Sequence, residues 1–223
     1  MAPNHSHCLS EDDIEIKVIT QADSKRTWDL MGAYFFPDEP LTYSSEPRDE
    51  LLVGKEFLLS NIDHGTCLKA VLKGTDEIVG LSICGPKGPD EAEHMQKEAD
   101  AAGNTKWGTI LNFLAKVERD ANVYERYNVT KVLHVITTCV DAKMRGNNIG
   151  ARLYNAAREM AIVKGYELLT ADCTSFYSAR IKEQLGWELV NVIYYKDYLD
   201  SDNKQVFRPH RPHECCKTYA IRF

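Results

Sequence analysis

The sequence predicts a single α/β domain built on a mixed, twisted sheet of about seven strands flanked by helices. Three observations predict it. Segments of strand periodicity and segments of helical periodicity are interleaved along all 223 residues. No internal repeat and no low-complexity linker divides them. An apolar run at 132–136, a tight basic loop and an amphipathic run at 151–161 follow one another, which reads as strand, loop and helix.

The elements follow in order. Ile14, Ile16 and Val18 alternate with Glu15 and Lys17, the mark of a half-buried strand. Asp23 is placed to cap a helix through about Tyr34, with Trp28, Leu30 and Met31 on its apolar side. Pro37, Pro40 and Pro47 keep residues 36–47 from being helix interior. A second helix is expected at about 48–60. Strands at 67–72 and 77–84 flank the turn Lys73-Gly74-Thr75-Asp76 and form a hairpin. Gly85-Pro86-Lys87-Gly88-Pro89 breaks the pattern, and the acidic, alanine-rich stretch 90–103 reads as an exposed helical excursion. A longer helix at about 105–124 places Ile110, Phe113, Leu114 and Val117 on one face. Strand 131–139 and helix 148–164 come next, the helix ended by Gly165. Strand 166–172, helix 175–185 stopped by Gly186, and closing strands at 187–195 and 217–223 complete the chain. Residues 1–10 are expected to be a disordered tail.

Composition narrows the functional classes. A formal net charge of −6 argues against nucleic-acid and anionic-membrane partners. No apolar stretch reaches the ~20 residues of a membrane span. The first residues lack the pattern of a signal peptide. Seven cysteines without metal-ligand spacing point to reduced thiols, a cytoplasmic location and no metal site. A monomer is the favoured state.

The segment Arg145-Gly146-Asn147-Asn148-Ile149-Gly150 carries the first chemistry. A helix N-terminus offers unpaired N–H groups and a positive dipole end, which suit a phosphate. Gly146 and Gly150 allow close backbone approach, and Arg145 adds a planar cation. Gly-Lys-Ser/Thr is absent, so this is not a P-loop. Two other readings remain open at this point. One is an ordinary strand-to-helix turn. The other is a dinucleotide site in which Asp172, about 20 residues on, holds a ribose.

The segment resembles the pyrophosphate loop of the GNAT acetyltransferase superfamily, Arg/Gln-x-x-Gly-x-Gly/Ala. Arg145 and Gly150 match, and Asn148 stands where the first glycine is usual. Asn tolerates positive φ, so the turn survives the change. The resemblance implies a GNAT-like domain over 11–223 with acetyl-CoA as co-substrate and no metal. The cofactor-binding set it implies is Cys139, Val140, Arg145, Gly146, Asn147, Asn148, Ile149, Gly150 and Ala151. Strands 131–139 and 166–172 would splay apart to admit the pantetheine arm.

Phe35-Phe36-Pro37-Asp38-Glu39-Pro40-Leu41 is a second distinctive segment. By itself it is an acidic pair fixed in a rigid turn, and many such pairs are only solvated loops. It resembles the Asp-Glu-Pro-Leu motif of insect arylalkylamine N-acetyltransferases. Asn122-Val123-Tyr124-Glu125-Arg126-Tyr127 and Thr174-Ser175-Phe176-Tyr177-Ser178-Ala179-Arg180 resemble the same family, so the likeness spans about 12–223. It implies that Glu39 is the general base and that Ser178 and Thr174 serve the catalytic site. The competing role for both hydroxyls is capping of the helix that begins there.

A primary alkylamine arrives as an ammonium with a pKa of about 10.4, so attack on a thioester needs a base. Backbone N–H groups near Cys139 and Val140 are the expected oxyanion donors. Phe36, Tyr43 and Tyr177 could line an aryl pocket or simply belong to the core. The histidine pair of the vertebrate serotonin enzymes has no apparent equivalent. Lys182, before Gly186-Trp187, occupies the place where many GNAT proteins carry a tyrosine acid. The expected substrates are arylalkylamines such as dopamine, tyramine, octopamine, tryptamine or serotonin. The alternatives are a paralogue acting on a polyamine, histamine or hydrazine, and a non-catalytic acyl-CoA-binding protein.

Overall fold

The computed structural model describes residues 13–48, 50 and 52–223; the expected tail at 1–10 lies outside them. One seven-stranded mixed sheet organises the chain, in the order β1-β2-β3-β4-β5-β7-β6. Its strands are β1 (Ile14–Val18), β2 (Leu68–Leu72), β3 (Ile78–Lys87), β4 (Val132–Val140), β5 (Leu168–Cys173), β6 (Glu188–Tyr194) and β7 (Cys215–Arg222). Only β4 and β5 pair in parallel, and the last strand inserts between β5 and β6.

Helices cover both faces. The α7 helix (Ile149–Val163) and α8 (Phe176–Gln184) lie on one, where Leu153, Ala157 and Ala179 pack with Leu133, Val135, Leu169 and Ala171. The α1 helix (Ser24–Tyr34) and α5 (Lys106–Ala121) lie on the other, where Met31, Ile110, Phe113 and Val117 meet Leu81, Ile83 and Cys139. In α5, Thr105 caps the N-terminus by accepting the Gly108 N–H, and the apolar positions recur at helical spacing. Burial of Phe113 alone contributes roughly 1.5–3 kcal/mol.

The feature that positions the site is a split in the sheet. β4 and β5 pair only over 132–135 and 168–171, although both strands continue. The register between β3 and β4 shifts between Ile83 and Cys84, leaving Ile136 as an extra residue in β4. Such a bulge bends and twists its strand, here away from β5.

Several local expectations need correction. Asp23 does not cap α1. It closes a capping box with Thr20 on the preceding 3₁₀ turn, and its carboxylate also takes Lys69 Nζ at 2.6 Å. Residues 36–47 contain a short helix, α2 (Pro40–Ser44), because Pro40 stands at its first position, where no N–H is needed. The helix expected at 48–60 is only α3 (Lys55–Ser60), starting after left-handed Gly54. Pro86 lies within β3 rather than ending it. It faces Leu133 of β4 beyond the end of β2 pairing, so its missing N–H removes no ladder bond there. The stretch 90–103 is α4 (Glu91–Ala102), and it is no exposed excursion: Met95 and Ala99 are buried against Leu111 and Ala115 of α5. The helix expected at 105–124 is interrupted at left-handed Asn122, after which α6 (Val123–Tyr127) begins. Among the described residues no helix is long and apolar enough to cross a membrane, and the six described cysteines are all free.

Candidate active site

A cavity of about 1560 Å³ occupies the split between β4 and β5 and reaches both faces of the sheet. Its walls come from the 34–43 segment, β4 from His134 to Val140, the loop into α7, the end of β5 and α8.

The loop builds one wall. Gly146 (φ 86°) and Asn148 (φ 58°) are both left-handed, and together they reverse the chain into α7. Asn148 makes no side-chain capping bond, and the first α7 amide to bond within the helix is Arg152, to Asn148 O. The amides of residues 149–151 therefore have no partner within the helix. Gly80 of β3 makes room for this turn: a Cβ there would stand 3.1 Å from Ile149 Cγ2 and 3.2 Å from Cys139 O. Gly146, Asn148, Ile149, Gly150 and Ala151 all line the cavity. Asn147 does not; its side-chain amide donates back to Met144 O.

Cys139 and Val140 both line the cavity, but their amides face opposite ways. Asp141 N–H donates to Val79 O, so alternation along the strand turns Cys139 N–H towards β3 as well. Val140 N–H is left facing the split. Asp172 does not support a dinucleotide site. Its neighbours Ala171 and Cys173 pack on the α7 face, so its own side chain points to the opposite face. There its carboxylate accepts from Thr218 Oγ1 and lies 3.5 Å from His134 Nε2.

Arg145 reaches across the opening. Its guanidinium donates to Asp38 Oδ2 at 2.8 Å, to Tyr34 O at 3.2 Å and to Val140 O at 3.3 Å. Next to Asp38, Glu39 is 7% exposed and caps α2 with both oxygens. Oε1 accepts from Leu41 N–H, and Oε2 accepts from the amide and the hydroxyl of Thr42, both at 2.6 Å. Phe36 touches the cavity but belongs mainly to the core, edge-on to Trp28 and Phe35. Tyr43 is in the wall and stacks on His210, whose amide donates to the Tyr43 hydroxyl.

At the end of β5, neither Thr174 nor Ser178 is the helix cap. Ser175 has that place, accepting the Ser178 N–H. The Ser178 hydroxyl donates to Ser175 O, and Thr174 O accepts from the Tyr195 hydroxyl. Both Thr174 and Ser178 line the cavity. Tyr177 sits at the rim, largely exposed, edge-on to Phe176 and His213.

The sequence reading missed two parts of the site. His210 and His213, from the proline-bearing loop before β7, stand at the cavity wall. Burial pushes the His213 imidazole below its usual range. The second missed part is a charged cluster on the α5 face. Lys87 and Glu118 form a buried ion pair there, with Asp172, Glu91 and His134 around it. Burial works against the charge on Lys87, but Glu118 and Asp172 outweigh it and raise its ionisation. Burial also pushes the carboxyls of Glu91 and Asp172 upward, with Lys87 offsetting only part. One lysine thus serves three carboxylates. Lys87, Glu91, His134 and Asp172 all line the cavity. Helical spacing signals this cluster only weakly, because its members come from five separate elements.

No family model matches the sequence. Solved structures are more informative. The chain is 38% identical to a polyamine N-acetyltransferase of Drosophila melanogaster that forms N-acetylagmatine, covering 95% of this chain and 100% of that one at a TM-score of 0.89. It is 29% identical to a mosquito arylalkylamine N-acetyltransferase-like protein, 5b (94% and 100% covered, TM-score 0.88). The fold is also that of arylalkylamine N-acetyltransferase 2 from Aedes aegypti, at 22% identity (94% and 99% covered, TM-score 0.87). The resemblance drawn from the separated sequence motifs and the split sheet therefore agree, and the chain belongs to the insect arylalkylamine and polyamine N-acetyltransferases, on the GNAT fold.

Proposed function

We propose that the protein moves the acetyl group of acetyl-CoA to the primary amine of a small cationic substrate, with Glu39 as general base. The free amides at 149–151, the left-handed loop and Arg145 suit the pyrophosphate. Val140 N–H, facing the split, suits the oxyanion. All three contacts to Glu39 use its carboxylate as an acceptor. Oε1 carries one of them, which leaves room for a water between base and ammonium.

The acceptor we favour carries a second cation, as agmatine and the polyamines do. The carrying observation is that Glu91 and Asp172 line the cavity beside a lysine, Lys87, that is already ion-paired with Glu118. A buried carboxylate short of a counter-charge favours a cationic ligand over a neutral aryl ring. The 38% identity to an enzyme that forms N-acetylagmatine supports the same choice. The second reading is an arylalkylamine acceptor, favoured by Tyr43, Phe57 and Trp107 in the wall. Thiol release from acetyl-CoA with a panel of agmatine, putrescine, dopamine, tyramine and serotonin separates the two. Higher kcat/KM for agmatine supports the first reading, and higher kcat/KM for dopamine or tyramine the second. Release with no amine sinks both.

A further inference from the structure

On the α7 face of the sheet, one cavity-wall cation has no hydrogen-bond partner. Lys182 projects from α8 and is fully buried, and its Nζ finds no acceptor. It lies 2.6 Å from the centroid of the Tyr154 ring and 4.7 Å from that of Trp187. The titratable groups facing it are Tyr154 of α7, Cys84 of β3, Cys173 of β5 and, from the other face, His134 of β4. None of these is a carboxylate. A buried ammonium without an acceptor is costly, and folded proteins usually satisfy or remove it. Here the cavity is the open side, and Lys182 lines it beside Thr138, Tyr154 and Cys173.

Its neighbours are poor acids by comparison. The Tyr154 hydroxyl is held by Thr138, and burial pushes its ionisation up. Burial pushes the Cys84 and Cys173 thiols up to about 11. Burial acts in the opposite sense on Lys182 and brings its ammonium down to about 7. The two aromatic faces keep the charged form accessible at that value.

We propose that Lys182 donates the proton that leaves with the thiol of coenzyme A, a role that rests on the acetyl-transfer reading above. As the carbon–sulfur bond of the tetrahedral intermediate breaks, its electron pair passes to sulfur. An N–H bond of Lys182 breaks and an S–H bond forms. The proton lost by the attacking amine goes to Glu39, and neutral Lys182 is reprotonated from water when the products leave. A thiol with a pKa of about 8.5 is the stronger proton acceptor of the pair, so the transfer runs downhill.

Lys182→Met tests this, with Lys182→Arg beside it. Methionine has a similar shape and removes the unsatisfied donor, so the variant should melt at or above the wild-type temperature. Its acetyl-CoA-induced melting shift should be unchanged, while kcat falls by about 100-fold. The wild-type kcat should decline above about pH 7 as Lys182 loses its proton. That limb should vanish in Lys182→Met and move beyond pH 9 in Lys182→Arg. A Lys182→Met enzyme that keeps wild-type kcat and the same alkaline limb overturns the assignment while leaving acetyl transfer intact. A wild-type protein that shows no melting shift with acetyl-CoA and releases no thiol overturns both.

Discussion

Arg145 and Asp38 are 107 positions apart in sequence and meet at 2.8 Å, Nη2 donating to Oδ2. This contact joins the loop before α7 to the turn that holds Glu39. The same guanidinium also donates to Tyr34 O at the end of α1 and to Val140 O at the end of β4. Both side chains are about half exposed, at 48% and 60%. Water screens such a pair, which contributes about 0–1 kcal/mol to stability. Its importance lies in where it holds the cation.

Asp38 partly neutralises Arg145 in the free protein, so the two residues should act in opposite directions on co-substrate binding. Arg145→Ala should raise KM for acetyl-CoA by about 10-fold, as loss of one cation beside a pyrophosphate would. Asp38→Asn should lower that KM by roughly 2–5-fold by releasing the guanidinium. Steady-state kinetics at low and high salt check both, and the two effects should shrink together as salt rises.

Glu39 has two roles that two substitutions separate. Glu39→Gln keeps one side-chain oxygen for the Thr42 amide and hydroxyl, loses the acceptor for the Leu41 amide and cannot take a proton. It should reduce kcat by about 10²–10⁴-fold and cost about 1 kcal/mol of stability or less for the one lost acceptor. Glu39→Ala also removes the α2 cap and should lose a further ~1 kcal/mol of stability. Equal kcat for Glu39→Gln and wild type, measured by thiol release, would show that the residue only caps.

Most of the fold was legible because its signals are local. The alternation at Ile14, Ile16 and Val18, the helical stripe of Ile110, Phe113 and Val117, and the Gly74 turn each lie within one window. The loop into α7 was legible for the same reason. The opening of the sheet depends on a bulge at Ile136, which is defined against β3 some fifty positions earlier and has no signature within β4. The charged cluster is equally non-local. Lys87, Glu118, His134 and Asp172 sit in ordinary strand and helix patterns, and only the fold brings Glu118 onto Lys87 and the other three to one cavity wall. Ser175 took the helix cap from Thr174 and Ser178 because backbone direction, rather than residue type, selects among the three hydroxyl-bearing residues within positions 174–178.

Asn148 makes a prediction about the loop itself. Its φ of 58° suits glycine best, and its side chain gives no capping bond in return. Asn148→Gly should therefore leave stability unchanged or slightly higher and keep KM for acetyl-CoA within a few-fold of wild type. Asn148→Val puts a β-branched side chain in the left-handed region, which should cost about 1–2 kcal/mol. Relaxing that strain would move the amides at 149–151, so KM should also rise by about 10-fold or more. Chemical denaturation together with kinetics tests the pair, and a Val variant with normal KM would detach the turn from co-substrate binding.

His134 makes the pH prediction. It is buried with Nδ1 2.8 Å from Thr170 Oγ1, and burial first, then Lys87 and Lys182, hold its ionisation well below the histidine value of 6.5. Below about pH 6.5 the unfolded chain gains a proton at this residue and the folded protein does not, so acid favours unfolding. The stabilising effect is complete above pH 6.5 and is lost as pH falls, at up to about 1.4 kcal/mol per pH unit. Asp172, whose carboxyl is raised by burial, acts with the opposite sign and is kept in both the wild type and the variant. The comparison with His134→Gln therefore isolates the histidine. Unfolding free energies between pH 5 and 7.5 should fall more steeply with acid in the wild type than in the variant, and parallel profiles would mean that His134 takes up a proton in the folded protein.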